Sequence, residues 1–257
     1  MWELYDKLIG GIPPDLMVED YQVGLTWTLV RAGGSMGVAL TVKGRAHIPL
    51  YGGPVIGSPL RWIAGCVKSW NFREASLGMA AVNCWYNSTD KVASLGGFAG
   101  LNLADESRES NVKKDAFNIS PEEAAGKRVA VIGRFPRLEE QLSPICSLSV
   151  LERTPEPGDY PDSACEYILP EQDIVFITGM TFINKTLPRL LQLTAPGARV
   201  ILVGPSVPLT PLLYDYGVTD LDGFCVTNPA KAREAVRRGN SADIFLGGKM
   251  VEIQRRG

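Results

Sequence analysis

Four short stretches carry the groups that could recognise a ligand. They are Gly133-Arg-Phe135-Pro136, the lone acid Glu152, Thr178-Gly179-Met-Thr181 with Asn184 just beyond, and Gly204-Pro205-Ser206. Together they offer a carboxylate, three hydroxyls and an amide, a set that accepts from sugar or alcohol hydroxyls and donates to oxyanions, not one that builds a proton relay. Each also has a plainer reading. Glu152 is equally a solvated loop acid, Asn184 a cap for the next helix, and Phe135 a core aromatic. What unites the four stretches is position, because each directly follows an apolar run of strand type.

The elements that must carry them follow a β-α-β rhythm over 128–237. Strands are predicted at Arg128–Gly133, Leu148–Glu152, Asp173–Thr178, Arg199–Val203 and within Asp222–Val226, with helices over Leu138–Leu142, Lys185–Leu193, Leu209–Tyr216 and Pro229–Arg237. Continuous apolar strands alternating with helices argue for a parallel, doubly wound sheet with helices on both faces, and ligands bind such sheets at the carboxyl edge. Prolines 205, 208 and 211 fix φ and remove three backbone donors, so the loop after Val203 is stiff.

The first predicted strand lacks a dinucleotide fingerprint, with one glycine where three are needed for backbone access to a pyrophosphate. Glu152 lies 19 residues after Gly133, near the roughly 20-residue spacing at which an acid reaches a ribose hydroxyl. A ligand smaller than a dinucleotide fits this combination.

The chain before residue 104 is of another style. A helix over Trp2–Leu8 precedes strands at Val23–Val30 and Gly37–Val42, joined through Gly33-Gly34-Ser35, and helices follow at Pro59–Ser69 and Arg73–Asn87. The glycine turn offers bare amides and the Ser35 hydroxyl as a lid, or is simply the turn a hairpin needs. Asn83 and Asn87 stand four apart on one helix face, where such a pair is either solvated or satisfies backbone groups. A polar stretch over 104–127 sets the expected boundary between an α+β domain at 1–118 and a Rossmann-like domain at 119–257.

Composition excludes several classes. With 257 residues and 45% apolar content the chain can bury a large core, and 26 basic against 28 acidic residues, without a basic run, give no nucleic-acid or anionic-membrane surface. No apolar run reaches the roughly 20 residues of a membrane span, and the start lacks a signal-peptide pattern. Five scattered cysteines without a C-x-x-C pair suggest reduced core thiols in the cytoplasm. The single histidine, His47, cannot build a His-based zinc site and is expected as a surface or packed residue. There is no nucleophile elbow, P-loop or zincin motif.

Gly33-Gly-Ser-Met-Gly37, Val131-Ile-Gly-Arg-Phe-Pro136, Ile177-Thr-Gly-Met-Thr-Phe-Ile-Asn-Lys-Thr186 and Val203-Gly-Pro-Ser-Val-Pro-Leu-Thr-Pro-Leu-Leu-Tyr-Asp-Tyr-Gly-Val218 together resemble the putative heavy-metal chelation family of bacteria and archaea. The resemblance covers essentially the whole chain. It implies an enolase-N-terminal-like α+β domain, a Rossmann-like domain and an active-site cleft between them. It also implies metal chelation linked to anaerobic tetrapyrrole or cobalamin chemistry, with a divalent or heavy metal ion as the only cofactor in view.

With one histidine and no clustered thiols, such a metal would arrive inside a ligand or be held by oxygen groups such as Glu152, Asp215 and Asn83. The leading expectation is therefore a small anionic or metal-chelating ligand bound between the domains. The alternatives are a transferase using an adenosyl-type cofactor such as S-adenosylmethionine and a non-catalytic metal carrier or sensor. Expected partners are that ligand alone, without nucleic acid or membrane, in a homodimer.

Overall fold

The computed structural model describes residues 2–44, 47–105, 107, 121–135 and 138–255. Helix α1 (Glu3–Gly10) buries Leu4, Tyr5 and Leu8 at helical spacing. Strands β1 (Val18–Val23), β2 (Trp27–Ala32) and β3 (Ser35–Leu40) then form an antiparallel sheet in that order. The single strand expected over 23–30 is in fact the end of β1 and the start of β2. Gly24 donates its amide to Trp27 O at 2.9 Å and Leu25 stands exposed at the tip, so the chain reverses there. The second turn is as expected. Gly33 and Gly34 have φ of 55° and 74°, and Ala32 pairs with Ser35 across a two-residue loop that L side chains would strain.

Helix α2 (Leu60–Gly65) and a 3-10 turn at Cys66–Lys68 lead to α3 (Phe72–Tyr86) and α4 (Thr89–Ser94). Asn71 caps α3 by accepting from Glu74 N at 3.2 Å. Helix α3 lies directly on the backbone of β3, since a methyl at Gly37 would stand 2.0 Å from Cys84 N and 2.2 Å from Ala80 O.

The remainder is α5 (Pro121–Ala124), β4 (Arg128–Ile132), α6 (Leu138–Leu142), β5 (Ser147–Glu152), β6 (Tyr160–Pro161), α7 (Cys165–Ile168), β7 (Ile174–Thr178), α8 (Met180–Ile183), α9 (Leu187–Leu193), β8 (Arg199–Val203), β9 (Asp220–Val226), α10 (Pro229–Arg238) and β10 (Gly248–Gln254). The strand order is β10-β9-β8-β7-β4-β5-β6, parallel throughout except for β10 on β9. In chain order from β4 this is the Rossmann order 3-2-1-4-5-6, extended by one antiparallel edge strand. The mixed α/β class with a doubly wound sheet and a smaller α+β layer is thus as expected. The short β6 and β10 were not anticipated, and residues 211–216 form a 3-10 turn where a helix was expected. Pro211 opens that turn and Gly217, at φ 86°, ends it.

The two parts of the chain share their cores. One buried cluster joins Leu4, Ala80 and Val82 to Leu202, Val207 and Leu209. Another packs Trp27, Leu29 and Val38 against Phe224, Val226 and Val236. Between them the proline-braced loop meets α3 through side-chain amides. Asn83 Nδ2 donates to Val38 O (2.8 Å) and Pro205 O (3.2 Å). Asn87 Nδ2 donates to Val207 O (2.9 Å) and Phe224 O (3.1 Å), and Leu209 N donates to Asn87 Oδ1 (2.8 Å).

Replacing Asn87 by Ala orphans one buried donor and two buried acceptors at once. At roughly 1 kcal/mol for each broken pair, Asn87→Ala should lower unfolding stability by about 2–4 kcal/mol, read as a fall in denaturant midpoint at unchanged slope.

Candidate functional site at the sheet's switch point

From β4 the chain winds one way to β5 and β6 and the other way from β7 onward, so the strand order reverses between β4 and β7. A crevice outside the carboxyl ends of these strands is the geometric consequence. A cavity of about 220 Å³ occupies it, lined by Gly133, Glu152, Thr178, Thr181 and Asn184 among the expected residues.

Gly133 leaves β4 with φ 102°, and a side chain there would crowd Thr178 Cγ2 at 3.1 Å. Glu152 ends β5, where its Oε2 accepts from Arg134 N (3.0 Å) and its Oε1 from Arg153 N (2.8 Å). The carboxylate therefore staples the β4 and β5 exits together while keeping lone pairs for a ligand hydroxyl. Thr181 Oγ1 donates to Thr178 O at 2.7 Å, closing the turn after β7.

Asn184 does not cap α9, as the sequence suggested. It ends α8, and Thr186 takes the capping position of α9. Asn184 Oδ1 accepts from Thr186 N (3.1 Å) and Thr186 Oγ1 (2.7 Å), so its amide NH₂ is the group left for a ligand.

Other expected residues stand elsewhere. Ser206 is buried and its Oγ accepts from Leu40 N at 2.9 Å. With Pro205 it belongs to the joint with β3 and α3, as Asn83 does, and none of the three lines the switch-point cavity. Gly179 packs on the same loop, since a methyl there would meet Val207 N at 2.8 Å, and Gly204 (φ 107°) donates to Asp222 O at 2.8 Å. Phe135 packs on the core beneath β4. Gly34 and Ser35, at the tip of the glycine turn that Gly33 opens, line a separate cavity of about 210 Å³ with Thr227 and Pro229. Asp215 is exposed and lines none of these cavities, and Pro136 lies outside the described residues.

The sequence reading missed Arg134, Arg153, Asp162, Cys165 and Thr186, which also line the switch-point cavity. Both arginines directly follow a residue already singled out, and that adjacency was the available signal. Arg134 pairs with Asp159 at 2.9 Å and Arg153 with Asp162 at 3.5 Å.

The donor set does not fit a bare heavy metal. Among the described residues no three His, Cys, Asp or Glu side chains stand close enough to share an ion. Burial pushes the thiols of Cys66, Cys84 and Cys225 up to about 12 and that of Cys165 to about 11, so in the metal-free chain they are protonated at neutral pH. Cys146 is shifted upward for the same reason.

The fold is thus a doubly wound sheet with a small cavity at its switch point, packed on an α+β layer. The chain belongs to a family described as "Putative heavy-metal chelation", with one family model matching residues 5–86 and a second matching 115–254. It is 42% identical to a protein of unknown function from the DUF364 family of Desulfitobacterium hafniense, with a TM-score of 0.87 over 99% of both chains. A DUF364 protein of Pyrococcus horikoshii shares the fold at 24% identity, with a TM-score of 0.76 over 98% of both chains. An uncharacterized protein of Methanocaldococcus jannaschii is 26% identical over 94% of this chain and 91% of its own length. Among the described residues no helix is long and apolar enough to cross a membrane.

Lys185 separates Asn184 from Thr186 and is the one non-glycine residue with positive φ (67°) among the described residues. Its Nζ donates to Ile183 O at 2.6 Å and to Ser69 O, and lies over the Trp70 and Phe72 rings at 5.6 and 5.1 Å. Burial pushes the ammonium down from 10.5 to about 8, against the pull of Glu74. The unfolded chain then binds the extra proton between these values, so this group's contribution to stability rises with pH across that window. The melting temperature of the wild type minus that of Lys185→Met should therefore climb as pH is raised from about 8 to about 10.

Proposed function

We propose that the chain binds a small anionic ligand at the switch point, and that any heavy metal it handles arrives as cargo inside such a ligand. The observation that carries this reading is the convergence of Glu152, Thr178, Thr181 and Asn184 with Arg134 and Arg153 around one cavity, where no three metal-ligating side chains meet among the described residues. Arg134 and Arg153, each paired with an aspartate, bring guanidinium donors to the cavity wall, the Asn184 amide donates to an oxygen, and Glu152 accepts from a hydroxyl. At about 220 Å³ the cavity suits a ligand well below the size of a dinucleotide. The glycine turn at Gly33-Gly34, expected as a lid, borders the other cavity instead.

Thermal-shift titration of the wild type with a divalent metal alone, a polycarboxylate alone and the metal–polycarboxylate complex tests this. Stabilisation by the complex and by the free polycarboxylate, absent with the metal alone and lost in Asn184→Ala, is expected. Equal stabilisation by the bare ion would refute it.

A second reading is favoured by the Rossmann strand order and by Glu152 at the end of β5. Both suit an adenosyl-type cofactor whose ribose hydroxyls donate to that carboxylate. Calorimetry should then show S-adenosylmethionine binding that weakens at least about tenfold in Glu152→Ala, equal to about 1.4 kcal/mol. Absence of heat in the wild type removes this reading.

A further inference from the structure

A cavity larger than the one at the switch point lies elsewhere among the described residues. A groove of about 650 Å³ opens in the first part of the chain beneath residues 47–55. Its walls are mainly apolar, with the Tyr21 and Tyr51 rings beside Val23, Val55 and Leu77. The segment forming its rim is pinned in place. Glu74 Oε2 and Oε1 accept from Leu50 N and Tyr51 N at 2.7 Å each, Tyr51 OH meets Ser58 Oγ at 2.7 Å, and the buried Asn71 donates to His47 O at 3.0 Å. A pinned apolar trough of this size is a built cavity able to hold a flat organic ligand.

The chain's only imidazole lines this groove. His47 Nδ1 lies 3.2 Å from Ile48 O. A carbonyl can only accept, so this contact places the proton on Nδ1 and leaves the Nε2 lone pair available. That is the tautomer and backbone support that metal-ligating histidines use. One imidazole without neighbouring ligands cannot hold a bare ion, yet it can complete the coordination of a metal whose other positions are already filled. Arg73 also lines the groove and makes no ion pair among the described residues, so it is a cation free for a carboxylate at the ligand's edge.

We infer that this groove binds a planar, conjugated metal chelate bearing carboxylates, with His47 Nε2 as its axial ligand and Arg73 at its edge. The inference rests on the reading that metal reaches the chain already chelated, but not on the switch-point cavity.

Iron(III) protoporphyrin IX, metal-free protoporphyrin IX and Zn²⁺ alone serve as probes, followed by visible absorption and fluorescence quenching. The wild type should bind both macrocycles one to one, and the iron form should show the spectrum of an imidazole-ligated metal. His47 is exposed, so His47→Ala should keep the wild-type circular dichroism. It should lose that spectrum and bind the iron macrocycle about tenfold or more weakly while holding the metal-free form within about twofold, with added imidazole restoring the spectrum. Arg73→Gln should weaken both macrocycles alike.

An unchanged spectrum in His47→Ala, no binding of the metal-free macrocycle, or Zn²⁺ binding as tight as that of the iron macrocycle would each overturn the inference. Asn184→Ala separates the two sites, because it should abolish the polycarboxylate response and leave the macrocycle spectrum intact. Loss of the macrocycle spectrum in that variant would also overturn the inference.

Discussion

Buried backbone carbonyls must find donors, and the loop after β8 makes that demand acute. Prolines at 205, 208 and 211 stiffen it but supply no N–H. The donors come from the first part of the chain, where Asn83 on α3 and Asn87 at its C-cap reach Pro205 O and Val207 O. The two buried clusters that span both parts of the chain can close around the same loop only because these amides satisfy it. An apolar residue at either position would leave oxygens buried and unpaired, which costs more than the packing it would add.

That joint determines what the switch point can be. Gly179 follows β7 and lies against the loop so closely that no side chain fits, which positions the turn through Thr178, Thr181 and Asn184. Lys185 then ties this turn to Ser69, to Trp70 and to Phe72 at the start of α3. Only the opposite edge of the crevice, at Glu152 and the two arginines, belongs to the sheet alone. The cavity is thus shaped by residues from 132 to 190 and held in position by α3.

The electrostatic character of the molecule points away from direct metal ligation. Thiols pushed upward by burial behave as small apolar side chains, and carboxylates such as Glu152 and Glu74 are committed to backbone amides. Recognition is left to amides, hydroxyls, guanidinium groups, the remaining lone pairs of Glu152 and one imidazole. Such groups select an organic anion or complete the shell of a metal already bound to one.

The sequence by itself determined the parallel sheet, the glycine hairpin and the carboxyl-edge residues Gly133, Glu152, Thr178, Thr181 and Asn184, because strand apolarity and loop chemistry are local properties written in consecutive residues. It also marked Asn83 and Asn87 as a polar pair on a small-residue helix, without saying what they satisfy. Tertiary structure alone decided that Ser206 and Asn83 belong to a joint, that the Gly33-Gly34 turn borders a different cavity, and that β10 adds an antiparallel edge. It also showed that His47, an isolated residue in the sequence, lines a groove larger than the switch-point cavity. The reason in each case is the same: these roles depend on which distant backbone groups a side chain meets when the two parts of the chain close. The partners of Asn87 lie 120 to 137 residues away, beyond any local pattern.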